Sequence, residues 1–397
     1  VNTLQQHLDD FSDLRLLSKT QLIVASQRAR ASTLKLLNAF VRSFPKDTAW
    51  RERFPWINPP LWEFGHIAWF QECWLLRRSS EIPNDQDELY NSAEVSRETR
   101  WTMDALEANE VQRYLSNVLD RSLIQLDQTD PNDNENLYFF RLTLAHELMH
   151  IESLLWMAQS LGFDPGITDT KKPLYSQLSS IPSTLGSIKV SAQTVSVVAT
   201  PGFHFDNEAP GHSWVIEAFE IDASLVSHGQ YAAFVDAGGY HRDHLWCPEG
   251  LAWRQAQQAT QPAFWRVSGQ GIERQWFGRW ETVMPSAPML HLSLYEAQAY
   301  CRWAKRQLPS EAQWLAGIQA GMDWGAAWEW LSEKHQPFPG FKPHAYREYS
   351  EPWFGNHQLL KGGSLLADRL MHHPHYRNFF KPNRLDVTTG FRTVNPF

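Results

Sequence analysis

The chain has 397 residues, 43% hydrophobic and 20% charged, an ordinary globular composition long enough for two domains. A formal net charge of -8 at pH 7 argues against nucleic acid or an anionic membrane as the main partner. Three widely spaced cysteines (Cys73, Cys247, Cys301) exclude a disulfide framework, and no apolar run reaches the roughly 18–20 residues of a membrane span. The opening VNTLQQHLDD lacks a basic segment followed by an apolar one, so a cytoplasmic protein is expected.

Residues 1–165 read as a helical domain. Apolar residues recur at three- and four-residue spacing from Leu14 to Phe44, from Pro59 to Arg77, from Thr102 to Leu126 and from Asn136 to Leu161. Four long amphipathic segments predict a bundle. Residues 166–198, with Pro165 just before them and Pro173 and Pro182 within, read as a linker. Residues 199–397 are rich in Gly, Trp and Pro, with helical patches at His228–Ala237 and Ser293–Lys305, and predict a loop-rich α+β domain. The 19 tryptophans belong mostly in cores, although aromatic faces also suit a quaternary ammonium ligand.

The sharpest local signal is His146-Glu147-Leu148-Met149-His150-Ile151-Glu152 in the fourth segment. Residues four apart share a helix face, so His146 and His150 can reach one ion. His66, in Glu63-Phe64-Gly65-His66 of the second segment, is the natural third ligand, because bundles build metal sites from facing helices. Three neutral imidazoles leave positions open for substrate and oxygen, as open-site iron chemistry requires. Two other readings stay open: histidines satisfied within a core, and an H-E-x-x-H zinc hydrolase with Glu147 as general base. The zinc reading lacks an evident downstream ligand, since residues 153–175 offer only Asp164 and Asp169. Glu152 lies about 200° round the helix from His150 and is poorly placed to join the same ion.

His66 with His146-x-x-x-His150-x-Glu152 resembles the metal half of the ergothioneine and ovothiol sulfoxide synthases. These join a DinB-like four-helix bundle to a formylglycine-generating-enzyme-like domain with a C-type-lectin-like core. The second half agrees in order: Gly202–Glu208, Leu294–Ala297 with Ala299–Trp303, Leu308–Glu311 with Trp314, Trp328–Trp330, Lys361–Ser364, Tyr376–Phe379 and Gly390–Arg392. Formylglycine generation itself needs a reactive cysteine pair, for which this half offers only Cys247 and Cys301.

The resemblance implies a non-heme Fe(II), O2-dependent oxidoreductase that joins sulfur or selenium to the imidazole of hercynine (Nα-trimethylhistidine). It implies Tyr346 as the active-site tyrosine, with Tyr349 a second candidate. It implies Asn378 on the substrate carboxylate and Phe379 against the trimethylammonium group. Two departures bear on the donor. Met149 stands where many relatives have a Gln that contacts the imidazole, and the basic run for γ-glutamylcysteine is reduced to Arg97 and Arg100, either donor ligands or solvated charges. The pattern is closer to the selenoneine synthase branch, which takes a selenosugar. A synthase using cysteine or γ-glutamylcysteine, and a non-catalytic trimethylammonium-binding protein, are the alternatives.

Overall fold

The computed structural model describes residues 13–45, 51, 54–78, 84–104, 106–166, 186–199, 202–269 and 271–396. The chain divides into two compact units. The first takes in Val1–Asp169, Thr200–Phe203 and Ala367–Met371; the second takes in Thr170–Ala199, His204–Leu366 and His372–Phe397. Among the described residues no helix is long and apolar enough to cross a membrane. The fold is mixed α+β, helical in the N-terminal region and sheet-rich in the C-terminal one, as the sequence predicts.

The first unit is built on α1 (Lys19–Ser43), α2 (Pro60–Gln71), α3 (Asp85–Tyr90), α4 (Arg97–Arg100), α5 (Ala108–Gln128) and α6 (Asn134–Leu161). A capping box of Ser18 and Gln21 starts α1, and Pro60 at the first helical position starts α2. Asp133 caps α6, which stops at Gly162 in the left-handed conformation (φ 74°). Helix α2 is buried almost all round, as befits a central helix, and packs on α5 and α6, while α1 packs on the same two. The segment expected to run unbroken from Pro59 to Arg77 changes to a π-turn at Glu72–Leu76. The Thr102–Leu126 segment turns helical only at Ala108, where Glu110 accepts from the Glu107 N–H, and its Ile124 is 60% exposed.

A buried ion pair ties these helices together. Arg30 of α1 donates through Nε (2.9 Å) and Nη2 (3.0 Å) to the two oxygens of Glu147 on α6. Its Nη2 also donates to Gln71 of α2 (2.6 Å), and Nη1 to the Leu115 carbonyl of α5. Thr33 Oγ1 donates to the same carboxylate at 2.7 Å. One guanidinium therefore bonds to all three partner helices. Segments distant in sequence also join this unit: Phe203 N–H donates to the Arg15 carbonyl, and Asp368 pairs with Arg28 at 2.7 Å.

Among the described residues the second unit carries four small sheets. β1 (Ser187–Val190), β4 (Phe219–Asp222) and β12 (Val394–Pro396) form one, in the order β1-β4-β12. β2 (Gln193–Val198) pairs with β3 (Gly211–Ile216), and β5 (Trp265–Ser268), β6 (Gly271–Trp276) and β7 (Arg279–Thr282) make a meander. The central sheet runs β10-β9-β8-β11, from β8 (Trp328–Lys334), β9 (Gln358–Gly362), β10 (Asn378–Phe380) and β11 (Thr389–Gly390), with only β8 and β11 parallel. Four helices accompany them, not the two expected: α7 (His228–Asp236), α8 (Pro248–Ala256), α9 (Leu294–Ala304) and α10 (Glu311–Gln319). Trp314, Leu331, Leu359, Phe219, Ile221 and Val394 meet in one core cluster. Arg392, fully buried, pairs with Glu329 of β8 and donates to the carbonyls of Asp222, Ala223 and Asp323. Residues 187–198, expected to be linker, form β1 and β2, because Val190, Val195 and Val197 alternate into that core. The rest of the expected linker, 167–185, lies outside the described residues.

Replacing Arg30 by Met strands the Glu147 carboxylate in the interior and is expected to cost about 3–5 kcal/mol, read from the urea midpoint of the full chain. A second expectation concerns acid. Hydrogen bonds from Arg77, against the opposing effect of burial and with help from Trp69, hold Asp87 at about 2, below its ordinary 3.8. A depressed carboxylate contributes stability above its unfolded value that is lost as pH falls through the folded one. Asp87→Asn should therefore flatten the loss of stability between pH 3.8 and about 2; an unchanged slope in acid titration by circular dichroism would contradict it.

Candidate metal centre

Helices α2 and α6 bring three imidazoles together. One ligand nitrogen from each of His66, His146 and His150 lies within 4.8 Å of the other two. Ring centroids are 5.0 Å apart for His66–His146, 5.1 Å for His66–His150 and 4.4 Å for His146–His150. His66 and His146 are buried and His150 is half-buried. The four-residue spacing on α6 places two rings on one face, and α2 supplies the third across the helix contact.

Two of the rings are held from behind by hydrogen bonds, and the third is held by stacking. His66 Nδ1 lies 2.8 Å from the Tyr90 carbonyl. A carbonyl only accepts, so Nδ1 carries the proton and Nε2 keeps its lone pair. His150 Nδ1 lies 3.0 Å from Glu63 Oε1, which fixes the same tautomer. His146 stacks on Phe70 at 3.6 Å with 3° between the planes. His66 stacks on Trp62 (5.0 Å, 9°) and on Trp69 (5.6 Å, 22°), whose Nε1 donates to Asp87. Gly65 lies beside this anchor: a Cβ there would sit 2.3 Å from the Tyr90 ring, so only glycine lets α3 come close enough to offer its last carbonyl.

The electrostatics keep His66 and His146 neutral. Burial, then the neighbouring His150, pushes His66 down to about 3, and burial with His150 and His66 pushes His146 well below its ordinary value. Burial alone would raise Glu63, but its hydrogen bond and charge interaction with His150, then Ser153 and Asn58, bring it down, so it stays an anion. Buried neutral imidazoles with oriented partners are what a divalent transition metal requires. The donor set fits Fe(II), and the grouping contains no carboxylate.

Glu147, between the two α6 histidines, is spent elsewhere. It is 3% exposed and saturated by Arg30 and Thr33, so it cannot serve as the general base of the H-E-x-x-H reading. Met149 is half-buried, three residues from His146 and next to His150. Arg97 is exposed, whereas Arg100 is half-buried and engaged within its own unit. Neither Glu63 nor Tyr90 was marked by the sequence pattern; an acidic residue three positions before a ligand histidine is the one signal that could have found the first.

The remaining predicted site residues meet in the second unit. Tyr349 stacks on Phe205 (4.0 Å, 13°), donates to Tyr376 Oη at 3.0 Å and meets Phe379 edge-on at 5.6 Å. Tyr346 lies 6.1 Å from Tyr349 between ring centroids. Burial, then Glu348 and Asp206, pushes the Tyr346 phenol up, so it remains protonated. Asn378 Oδ1 accepts from the Phe379 N–H at 2.9 Å, which makes Nδ2 the amide's outward donor. Phe379 has one face stacked on His335 (4.3 Å, 16°). The cysteines are free: Cys247 is half-buried, and burial followed by Asp222 pushes the buried Cys301 thiol up to about 12. That thiol is inert, against a reactive cysteine pair.

Comparison with known proteins agrees with both halves. Residues 182–325 match the sulfatase-modifying factor enzyme 1-like domain. The hercynine oxygenase of Mycolicibacterium smegmatis is 29% identical over 92% of this chain and 96% of its own length. That of Mycobacterium tuberculosis is 28% identical over 94% of this chain and 98% of its own. The formylglycine-generating enzyme of Bos taurus is 34% identical, but over 31% of this chain and 36% of its own. Similarity to the two proteins named hercynine oxygenase runs along nearly the whole length, and the matched sulfatase-modifying factor enzyme 1-like domain begins where the second half begins.

Proposed function

We propose that this protein is a non-heme iron enzyme that uses O2 to join selenium, or else sulfur, to the imidazole of hercynine. The observation that carries the reading is the group of three imidazoles from α2 and α6, two of them buried, with Nδ1 of His66 and of His150 each held by an oxygen acceptor. The near full-length likeness to proteins named hercynine oxygenase supplies the substrate class. Fe(II) held by His66, His146 and His150 would supply open coordination positions and redox chemistry.

The chain's own residues take the other parts. Tyr346, with its phenol held protonated, stores the proton to be delivered to the oxygen side, and the Tyr349–Tyr376 hydrogen bond buttresses it. Asn378 offers Nδ2 to the substrate carboxylate. Phe379 offers its remaining face to the trimethylammonium group, an attraction of about 0.5–2 kcal/mol depending on desolvation. Met149 lines the histidine face of α6 with a soft apolar side chain. Its lack of a hydrogen-bond donor, together with an Arg100 committed to internal contacts, favours a neutral selenosugar over γ-glutamylcysteine.

The test is mass-spectrometric turnover by anaerobically Fe(II)-loaded protein given hercynine, O2 and, in parallel, a selenosugar, cysteine or γ-glutamylcysteine. Product with the selenosugar is expected; product with a thiol alone moves the donor to sulfur, and no O2-dependent product with any donor overturns the reading. His150→Ala should neither retain iron nor form product. Tyr346→Phe should keep its iron but lose about 10²-fold or more in single-turnover rate. An unchanged rate removes the tyrosine from the mechanism.

A further inference from the structure

Arg100 of α4 is half-buried, and most of its guanidinium donors are bonded within its own unit. Nε and Nη2 donate to the Val95 carbonyl (3.1 and 2.9 Å), Nη2 also to the Ser92 carbonyl (3.1 Å), and Nη1 to Asn58 Oδ1 (3.0 Å). These bonds use the fork with which an arginine grips a carboxylate.

What the fork leaves over is aimed at the histidines by two routes. The guanidinium carbon sits 3.9 Å from the centroid of the Trp62 ring, and Trp62 stacks on His66 at 5.0 Å with 9° between the planes. The indole is pinned in that pose by its own bond, Nε1 to the Leu89 carbonyl at 2.7 Å. Along the second route Asn58, whose Oδ1 accepts from Arg100, donates through Nδ2 to Glu63 Oε2 at 3.3 Å. The other oxygen of that carboxylate holds His150 Nδ1 at 3.0 Å. Guanidinium, indole and imidazole form one column; guanidinium, amide, carboxylate and imidazole form one chain.

We propose that Arg100 is a positioning residue of the metal centre, fixing His66 through Trp62 and His150 through Asn58 and Glu63. The two routes begin on one side chain and end on two of the three imidazoles. A single fork, itself locked by the loop at Ser92–Val95, thus sets the relative orientation of ligands from α2 and α6. The inference rests on the three histidines being a metal site. Outer partners of this kind hold ligand rings at their working angle, and their loss weakens metal binding about 10–100-fold.

The experiment is a competition titration of the full chain with Co(II), recording both affinity and the visible ligand-field bands. Wild type, R100Q, R100K, N58A and the R100Q/N58A double variant are compared, with urea midpoints measured on each. R100Q is expected to bind Co(II) about tenfold more weakly and to shift the bands. R100K should resemble R100Q, because an ammonium keeps the charge but cannot span Val95, Ser92 and Asn58 together. N58A should show part of the loss, and the double variant should be less than additive, since both substitutions cut one chain. Wild-type affinity and bands in R100Q, or in R100K, overturn the proposal while leaving the metal site standing. Should R100Q fail to fold, N58A decides: wild-type affinity and bands there remove the Glu63 route. Failure of the wild-type chain to take up Co(II) overturns the metal site and this inference together.

Discussion

The buried pair of Arg30 and Glu147 is the constraint on which the helical unit depends. Two charges leave water only if each finds its full complement of partners, and here both do. Arg30 reaches Glu147, Gln71 and the Leu115 carbonyl, while Glu147 also accepts from Thr33. Because Glu147 follows His146 and precedes His150 by three, the pair fixes the rotation of α6. With the carboxylate turned toward α1, the histidines are set to meet α2. The same motif that reads as a zinc hydrolase in sequence is thus divided in space: its histidines face one helix and its glutamate serves another.

Much of this was legible in the residues. Periodicity found the four long helices, and the four-residue spacing of His146 and His150 put both imidazoles on one helix face, where the structure has them. Where it failed, the reasons are local. The segment from Thr102 carries apolar residues at helical spacing, yet helix begins only at the capping glutamates, Glu107 and Glu110. α8 and α10 were missed, although Pro248 and the Ser310–Gln313 box announce their starts. The strands at 187–198 hide behind a proline-rich approach. The contacts that matter most around the histidines, from Tyr90, Trp62 and Asn58, are set by packing between elements, which no single-sequence pattern encodes.

Both units bury ionisable groups, as neutral imidazoles and as paired charges. In the helical unit burial keeps His66 and His146 neutral, and the anionic Glu63 bonds to His150. The sheet-rich unit, like the helical one with Arg30 and Glu147, buries charges in pairs. Arg392 meets Glu329, while Glu311 receives both Lys361 and Arg377. Burial pulls Lys361 down to about 8, with Glu311 opposing. These networks brace β8, β9 and α10 behind the aromatic group of Tyr349, Tyr376 and Phe379, so those rings rest on a scaffold of satisfied charges.

The missing side chain at position 65 has a consequence of its own. The space a methyl would fill is occupied by the Tyr90 ring, and the Tyr90 carbonyl is the anchor of His66. Size at one position and the aim of a neighbouring ligand are therefore one variable. Enlarging residue 65 displaces the ring, the ring carries its carbonyl away, and the imidazole loses its tilt. Change at this group of imidazoles is in that sense a paired move: a larger residue at 65 calls for a smaller one at 90.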